Sequence, residues 1–340
     1  MKKWLLTLML IILLTINVIG GCGTDNDNDN DSDKTDVDNE ISEEAVIDIP
    51  EEPSGIYNPL TGMQVETTGN LIAVMVDNLS PARPQSGLIK ADIVYEIEAE
   101  GLITRLMALF YGNPPEFVGP IRSARPYYMQ LAKEWDAYYA HVGGSDDAFA
   151  KAVEWKIRDI DDTRGHRGFF LDKQRQRPHS TYLNFAEALK GKEENGKFKD
   201  WVFVDIPEIE PTYTEISVRY TGSNRVRYEW DNDNKVYLRF INDKVHDDRE
   251  TGQQIFTNNI VIQYANHRSL QTKLLHIWVD VVGEGKAEYF LGGQYYQGTW
   301  EKKNMTGPTI YYNDNGEQVS FVKGKTWIQV VRPDVQISKT

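Results

Sequence analysis

A single cysteine, Cys22, stands in a chain of 340 residues. No intrachain disulfide can staple the fold, and structural zinc sites built on cysteine are excluded. Whatever folds must do so by burying apolar surface. The position of Cys22 says more. Lys2 and Lys3 precede an apolar run over residues 4–19, broken only by Thr7, Thr15 and Asn17, and Ile19-Gly20-Gly21-Cys22 closes it. A spanning helix needs about 20 apolar residues with suitable flanks, so residues 1–21 read as a cleavable export signal.

An apolar residue, two small residues and a cysteine resemble the lipobox of bacterial lipoproteins. That resemblance implies a diacylglyceryl group on Cys22, cleavage before it, and attachment to the extracytoplasmic face of the cell membrane. Two acyl chains suffice for stable anchoring where one is marginal. Residues 22–55 then form a tether. Of the net charge of −14, residues 23–52 carry −12, with thirteen acids against Lys34, and the signal carries +2. The residues from Pro53 onward therefore hold only −4. Such an acidic, apolar-poor segment cannot bury enough surface to fold and extends by self-repulsion.

About 285 residues remain to fold, enough for one large or two ordinary domains. The expected class is α+β: a mixed α/β domain over 56–205, then a mainly antiparallel β-rich domain over 206–335. In the first, residues 71–77, 93–98 and 106–111 read as strands, being short β-branched and aromatic runs. Helical spacing predicts helices over 124–135 and 146–155, the second capped by Ser145, and a third from Ser180 or Thr181 through Leu189. Beyond Pro211 only strands are expected: 216–220, 226–230, 236–240, 260–264, 274–282, 287–291, 309–312 and 327–331. Turn signals between them argue for an antiparallel sandwich or a barrel-like sheet. The aromatic residues from Tyr289 to Trp327 are expected mostly in its core.

Familiar catalytic motifs are missing. Gly324-Lys325-Thr326 lacks the upstream glycine of a phosphate loop. Ser320-Phe321-Val322-Lys323 lies among strands and has no Lys-Thr-Gly partner. No nucleophile elbow and no zinc-protease motif occurs. Accordingly no catalytic residue, metal site or cofactor is assigned. Polar residues instead gather at the ends of the first domain's elements: Asp77-Asn78, Arg83-Pro84-Gln85-Ser86-Gly87, Glu96, Glu98 and Glu100, Thr104-Arg105, and Arg177-Pro178-His179-Ser180.

Several blocks resemble the YerB family of bacterial lipoproteins. They are Asn58-Pro59-Leu60-Thr61-Gly62, the Arg83 loop, Ala91-Asp92-Ile93-Val94-Tyr95-Glu96, Gly119-Pro120-Ile121-Arg122-Ser123-Ala124-Arg125-Pro126 and His141-Val142-Gly143-Gly144-Ser145. Further along, Thr257-Asn258-Asn259-Ile260-Val261, Gly298-Thr299-Trp300 and Thr326-Trp327-Ile328-Gln329-Val330 also match. The resemblance spans most of 56–332. It implies a two-part, lipid-anchored protein of the Gram-positive envelope and supplies no functional residues, the family's function being unknown.

Arg122 and Arg125, three apart at a helix start with Ser123 between them, suit an anion pocket that Arg83 and Arg105 join. His141, Ser145 and His179 complete the candidate ligand-binding set. The competing reading pairs each arginine with Asp77, Asp92, Glu96, Glu98 or Glu100 as scaffold. Three functions are compatible with these residues. One is a non-catalytic envelope module binding an anionic wall polymer or a wall-synthesis protein. Another is a hydrolase or transferase acting on an anionic envelope glycan, with His141 or His179 as general base. The third, a solute-capturing lipoprotein, is disfavoured because the two parts are unlike. Nucleic acid is not an expected partner, since the body is mildly acidic and exported.

Overall fold

Strands buried on both faces read as nearly unbroken apolar runs, and five strands buried along their whole length, Ile72–Val76, Ile93–Glu98, Thr104–Phe110, Tyr138–His141 and Thr326–Val331, form the centre of this molecule. The computed structural model describes residues 55–340; the expected signal, Cys22 and nearly all of the tether lie outside them. Ile72–Val76 (β1), Ile93–Glu98 (β2), Thr104–Phe110 (β3), Tyr138–His141 (β4) and Arg158–Asp161 (β5) come from the first half. The second half adds Glu215–Thr221 (β6), Asn224–Asp231 (β7), Val236–Ile241 (β8), Asn259–Tyr264 (β9), Gly283–Leu291 (β10), Gln294–Lys302 (β11), Ile310–Asn313 (β12), Thr326–Val331 (β13) and Gln336–Lys339 (β14).

A ten-stranded mixed sheet runs β12-β11-β10-β9-β13-β2-β3-β1-β4-β5. β13 lies parallel to β2, Ile328 opposite Tyr95, so strands from both halves share one sheet. The division expected at 206–215 separates stretches of sequence while the sheet crosses it. The described residues form one compact unit. The antiparallel expectation holds for the second sheet, β8-β7-β6-β14 with short additions, while β9 pairs β13 in parallel. Two further expectations change. Residues 181–184 form a strand against Phe169–Leu171, which leaves only Phe185–Leu189 as helix, capped by Asn184. Residues 274–282 give only Ile277–Val279 as strand; Leu274 and Leu275 are exposed.

The helices Pro126–Glu134 (α1) and Asp146–Glu154 (α2) cover one face of the main sheet. α1 places Tyr127, Tyr128, Leu131 and Trp135 against Met75, Tyr95, Met107 and Ile328. On the other face Val74, Leu106, Ile260 and Trp327 meet Val218, Val226, Tyr228 and Tyr237 of the second sheet. Tyr289, Phe290, Trp300, Tyr311 and Trp327 are all buried, as the aromatic pattern predicts, whereas Tyr296 is exposed. Among the described residues no helix is long and apolar enough to cross a membrane.

Each interface encloses a charge. On the helical side Glu134 accepts from Lys302 Nζ at 2.7 Å, Lys199 Nζ at 3.0 Å, Tyr95 Oη at 3.1 Å, and the Thr309 amide and hydroxyl at 2.9 and 2.7 Å. Burial alone would raise this carboxyl; the two lysines and the hydrogen bonds outweigh it and bring it from 4.5 to about 2. Removing one partner of a buried ion pair strands the other. Glu134→Ala is therefore expected to cost about 3–5 kcal/mol in urea unfolding at neutral pH. Because the folded carboxyl is depressed, its contribution is complete above the unfolded value of 4.5 and is lost as pH falls through about 2. The gap between variant and parent should close over that window.

Candidate functional site

Six main-sheet strands, β9, β13, β2, β1, β4 and β5, run in one direction. In open sheets the carboxyl ends of such strands are where ligands bind. Asp77 follows β1, Glu98 ends β2, His141 ends β4 and Asp161 ends β5, while Thr104-Arg105 opens the opposed β3. The sequence candidates thus share one edge. The structure divides them into three groups.

The first group is scaffold. Arg105 donates to Glu100 and to the Ser123 carbonyl, the latter at 2.7 Å. Arg125 donates to Glu100 Oε2 through Nη2 at 2.6 Å and Nε at 3.1 Å, and to the Ala124 carbonyl. Burial pushes the Glu100 carboxyl up, but these two guanidinium groups outweigh it and hold it at about 2. Arg105 and Arg125 are spent on this acid and on neighbouring carbonyls, and Ser123 takes part through its backbone carbonyl alone.

His141 and Ser145 form the second group. His141 is buried, with Nδ1 at 2.8 Å from the Gly143 carbonyl and Nε2 at 2.7 Å from Asp159. Both ring nitrogens are engaged, so neither is free to take a proton from a substrate. Asp161 lies within the same cluster, but its carboxylate accepts from the Gly143 and Thr163 amides and the Thr163 hydroxyl. Arg164 also pairs with Asp159 at 3.2 Å. Ser145 caps α2, accepting from the Ala148 amide.

Arg83 and His179 belong to a third group, which lines an open cleft, and Arg122 adjoins it by sharing Asp77 with His179. His179 Nδ1 is 2.6 Å from Asp77 Oδ2, and Arg122 Nε is 3.0 Å from the same oxygen. Asp77 is buried, and its Oδ1 accepts from the Leu79 amide at 2.9 Å. His179 lines a cleft of about 640 Å³ together with Pro81, Arg83, Arg175, Arg177 and Arg249. Arg83 donates twice to the Asn78 carbonyl, at 3.0 and 3.2 Å. Arg175 donates to the carbonyls of Pro81 and Pro84. Arg249 pairs with Asp172 and donates to Gln174 at 2.6 Å. Among the described residues Arg83, Arg175 and Arg177 have no carboxylate within 4.0 Å. Carbonyl oxygens orient two of them without neutralising them.

Local sequence explains how these loops meet. Gly87 adopts φ +76°, and a Cβ there would lie 2.4 Å from the Phe117 carbonyl oxygen. A Cβ on Gly119 would fall 2.6 Å from the Tyr182 ring. Ser86 and Gly119 exchange backbone hydrogen bonds, docking the Arg83 loop on the segment leading to Arg122. Arg175 and Arg249 are site residues that the sequence reading did not single out. The alternating Lys173, Arg175 and Arg177 before His179 was an available signal; Arg249 sits in a distant turn with none.

A larger groove, about 1100 Å³, opens beside β10 and β11. It holds Glu288, which Tyr264, Tyr295 and Lys339 already satisfy, and none of the candidate residues. Size alone does not make it the site. The converging unpaired charge favours the smaller cleft.

The fold and this edge define an α+β protein carrying a cationic cleft without a recognised catalytic motif. Residues 60–198 match the family described as protein of unknown function (DUF3048), N-terminal domain, and residues 216–328 match its C-terminal domain. The chain belongs to this family, which includes YerB. It is 33% identical over 301 residues to the YerB protein of Bacillus subtilis (strain 168), whose name assigns it provisionally to the lipoproteins; the match covers 84% of this chain and 89% of that one. The crystal structure of YerB from Bacillus subtilis superposes with a TM-score of 0.74 at 32% identity, covering 84% of this chain and all of that one.

The grouping has a direct consequence. Glu100→Ala leaves Arg105 and Arg125 unpaired where they are mostly buried, a loss of about 3 kcal/mol. Chemical unfolding should register that loss while phosphate affinity, measured on the folded protein, stays within twofold of the parent.

Proposed function

We propose that this protein is an extracytoplasmic lipoprotein, anchored through Cys22, that binds a phosphate-bearing polymer of the cell envelope in the Arg83–Arg175–Arg177–Arg249 cleft. The observation that carries the reading is the unpaired charge of Arg83, Arg175 and Arg177 around one open cleft. Guanidinium groups fixed by carbonyl oxygens lose little freedom on binding and present paired donors to phosphate oxygens. The alternative partner, a wall-synthesis protein, has no comparable feature in its favour: the cleft is polar and concave, where a protein interface would centre on an apolar patch. The acidic composition of residues 23–52 suits the same role, since like charge is repelled by an anionic membrane surface.

Two experiments test this. Retention of poly(glycerol phosphate) by the immobilised protein should fall at least tenfold in Arg83→Glu and Arg175→Glu, and should weaken with added salt as screening requires. Undiminished retention in both variants would remove the cleft from the account, and equal retention of neutral polymer would remove the phosphate. Separately, Cys22→Ser should abolish fatty-acid labelling in cells and release the protein from the membrane fraction. A labelled or membrane-bound serine variant would refute the anchor.

A further inference from the structure

We infer that Asp77 and His179 form an acid–base pair that cleaves a phosphodiester held in the cationic cleft. The inference rests on the anion-cleft reading and adds turnover to it. Its basis is geometric. Asp77 is buried, its Oδ1 is fixed by the Leu79 amide, and its Oδ2 lies 2.6 Å from His179 Nδ1. A carboxylate at that distance holds the proton on Nδ1 and leaves Nε2 as the acceptor. Nε2 has no hydrogen-bond partner among the described residues, and His179 lines the cleft. His141 is arranged otherwise, with both nitrogens consumed. Asp77 is held in turn through its own carbonyl, which accepts from Gln85 Nε2 at 2.8 Å. The pair is therefore supported from the buried side and open on the other, the arrangement required of a general base and its orienting acid.

The chemistry balances without a further reagent. Water attacks phosphorus and gives its proton to His179 Nε2. The bond between phosphorus and one ester oxygen breaks, and that oxygen leaves as an alcohol carrying the proton from Nε2. A phosphodiester and water become a phosphomonoester and an alcohol, with no change of oxidation state. Arg83, Arg175 and Arg177 face the charge that develops on the non-bridging oxygens. His179 would be the catalytic residue and Asp77 a positioning residue.

The test uses the whole folded body and measures binding and turnover separately. Poly(glycerol phosphate) is incubated with the protein, and new phosphomonoester ends are counted with a phosphatase-coupled assay. Phosphatidylglycerol vesicles run in parallel distinguish a polymer from a lipid source of the same diester. The parent should generate phosphomonoester from one of the two. His179→Ala should lose at least a hundredfold in rate, far more than it loses in polymer retention, and added imidazole should restore part of the rate. Asp77→Asn should lower kcat more than it changes KM. No phosphomonoester from either source would overturn the acid–base assignment while leaving retention, and hence the binding reading, standing. Turnover unchanged in His179→Ala would overturn it as well. Loss of retention in Arg83→Glu without any turnover in the parent would confirm a binding cleft and reject the enzyme.

Discussion

The arrangement of this molecule hangs on Glu96, a carboxylate fully buried between the two sheets. Its Oε1 accepts from Asn78 at 3.1 Å and Thr104 at 2.9 Å. Its Oε2 accepts from Arg239 at 2.6 Å, Gln329 at 2.9 Å and the Trp327 indole at 3.2 Å. An isolated buried charge is prohibitive, and a paired one is tolerable only when its remaining lone pairs are satisfied. Both conditions are met, and the partners come from both halves of the chain. The pair joins the two sheets directly, Glu96 from the first and Arg239 from the second.

From Glu96 the network reaches the cleft. Arg239 donates to His246 Nδ1, and His246 Nε2 donates to Gln85 Oε1 at 2.7 Å. Burial, with Arg239 and Arg83 nearby, holds this imidazole well below its usual range, so it stays neutral and can accept from the guanidinium. Gln85 passes the constraint on to the Asp77 carbonyl, and its own carbonyl accepts from the Arg249 amide at 2.8 Å. The loop bearing Arg83 and the turn bearing Arg249 are thus tied to one buried chain of hydrogen bonds. The first half supplies Asp77, Arg83, Arg175, Arg177 and His179 and the second supplies Arg249, so both halves line the cleft.

Local patterns were legible, long-range pairing was not. β2 begins and ends where its alternating apolar run does, and Ser145 caps α2 as its residue type dictates. Nothing in a strand's own residues shows that Thr326–Val331 inserts between Ile93–Glu98 and Asn259–Tyr264, because register is set by partners hundreds of residues away. Hence the second half read as a separate sandwich. The carboxyl edge was legible as a cluster of polar loop residues, but which arginines are neutralised depends on where Glu100 and Asp77 fall in space. Arg105 and Arg125 went to scaffold, while Arg83 and Arg122 stayed with His179. Leu274 and Leu275 misled as strand residues because they sit at an exposed hairpin tip, where apolar character has no burial to report.

On the reading proposed above, one unpaired cationic cleft, joined to the Asp77–His179 pair, receives a tetrahedral oxyanion. Anomalous diffraction from crystals of the folded body soaked in millimolar tungstate tests it most directly. One dominant anomalous peak is expected within hydrogen-bonding reach of Arg83, Arg175 and His179 Nε2. A cleft empty of tungstate, or peaks confined to the Glu100 pair and the groove beside β10, would contradict it.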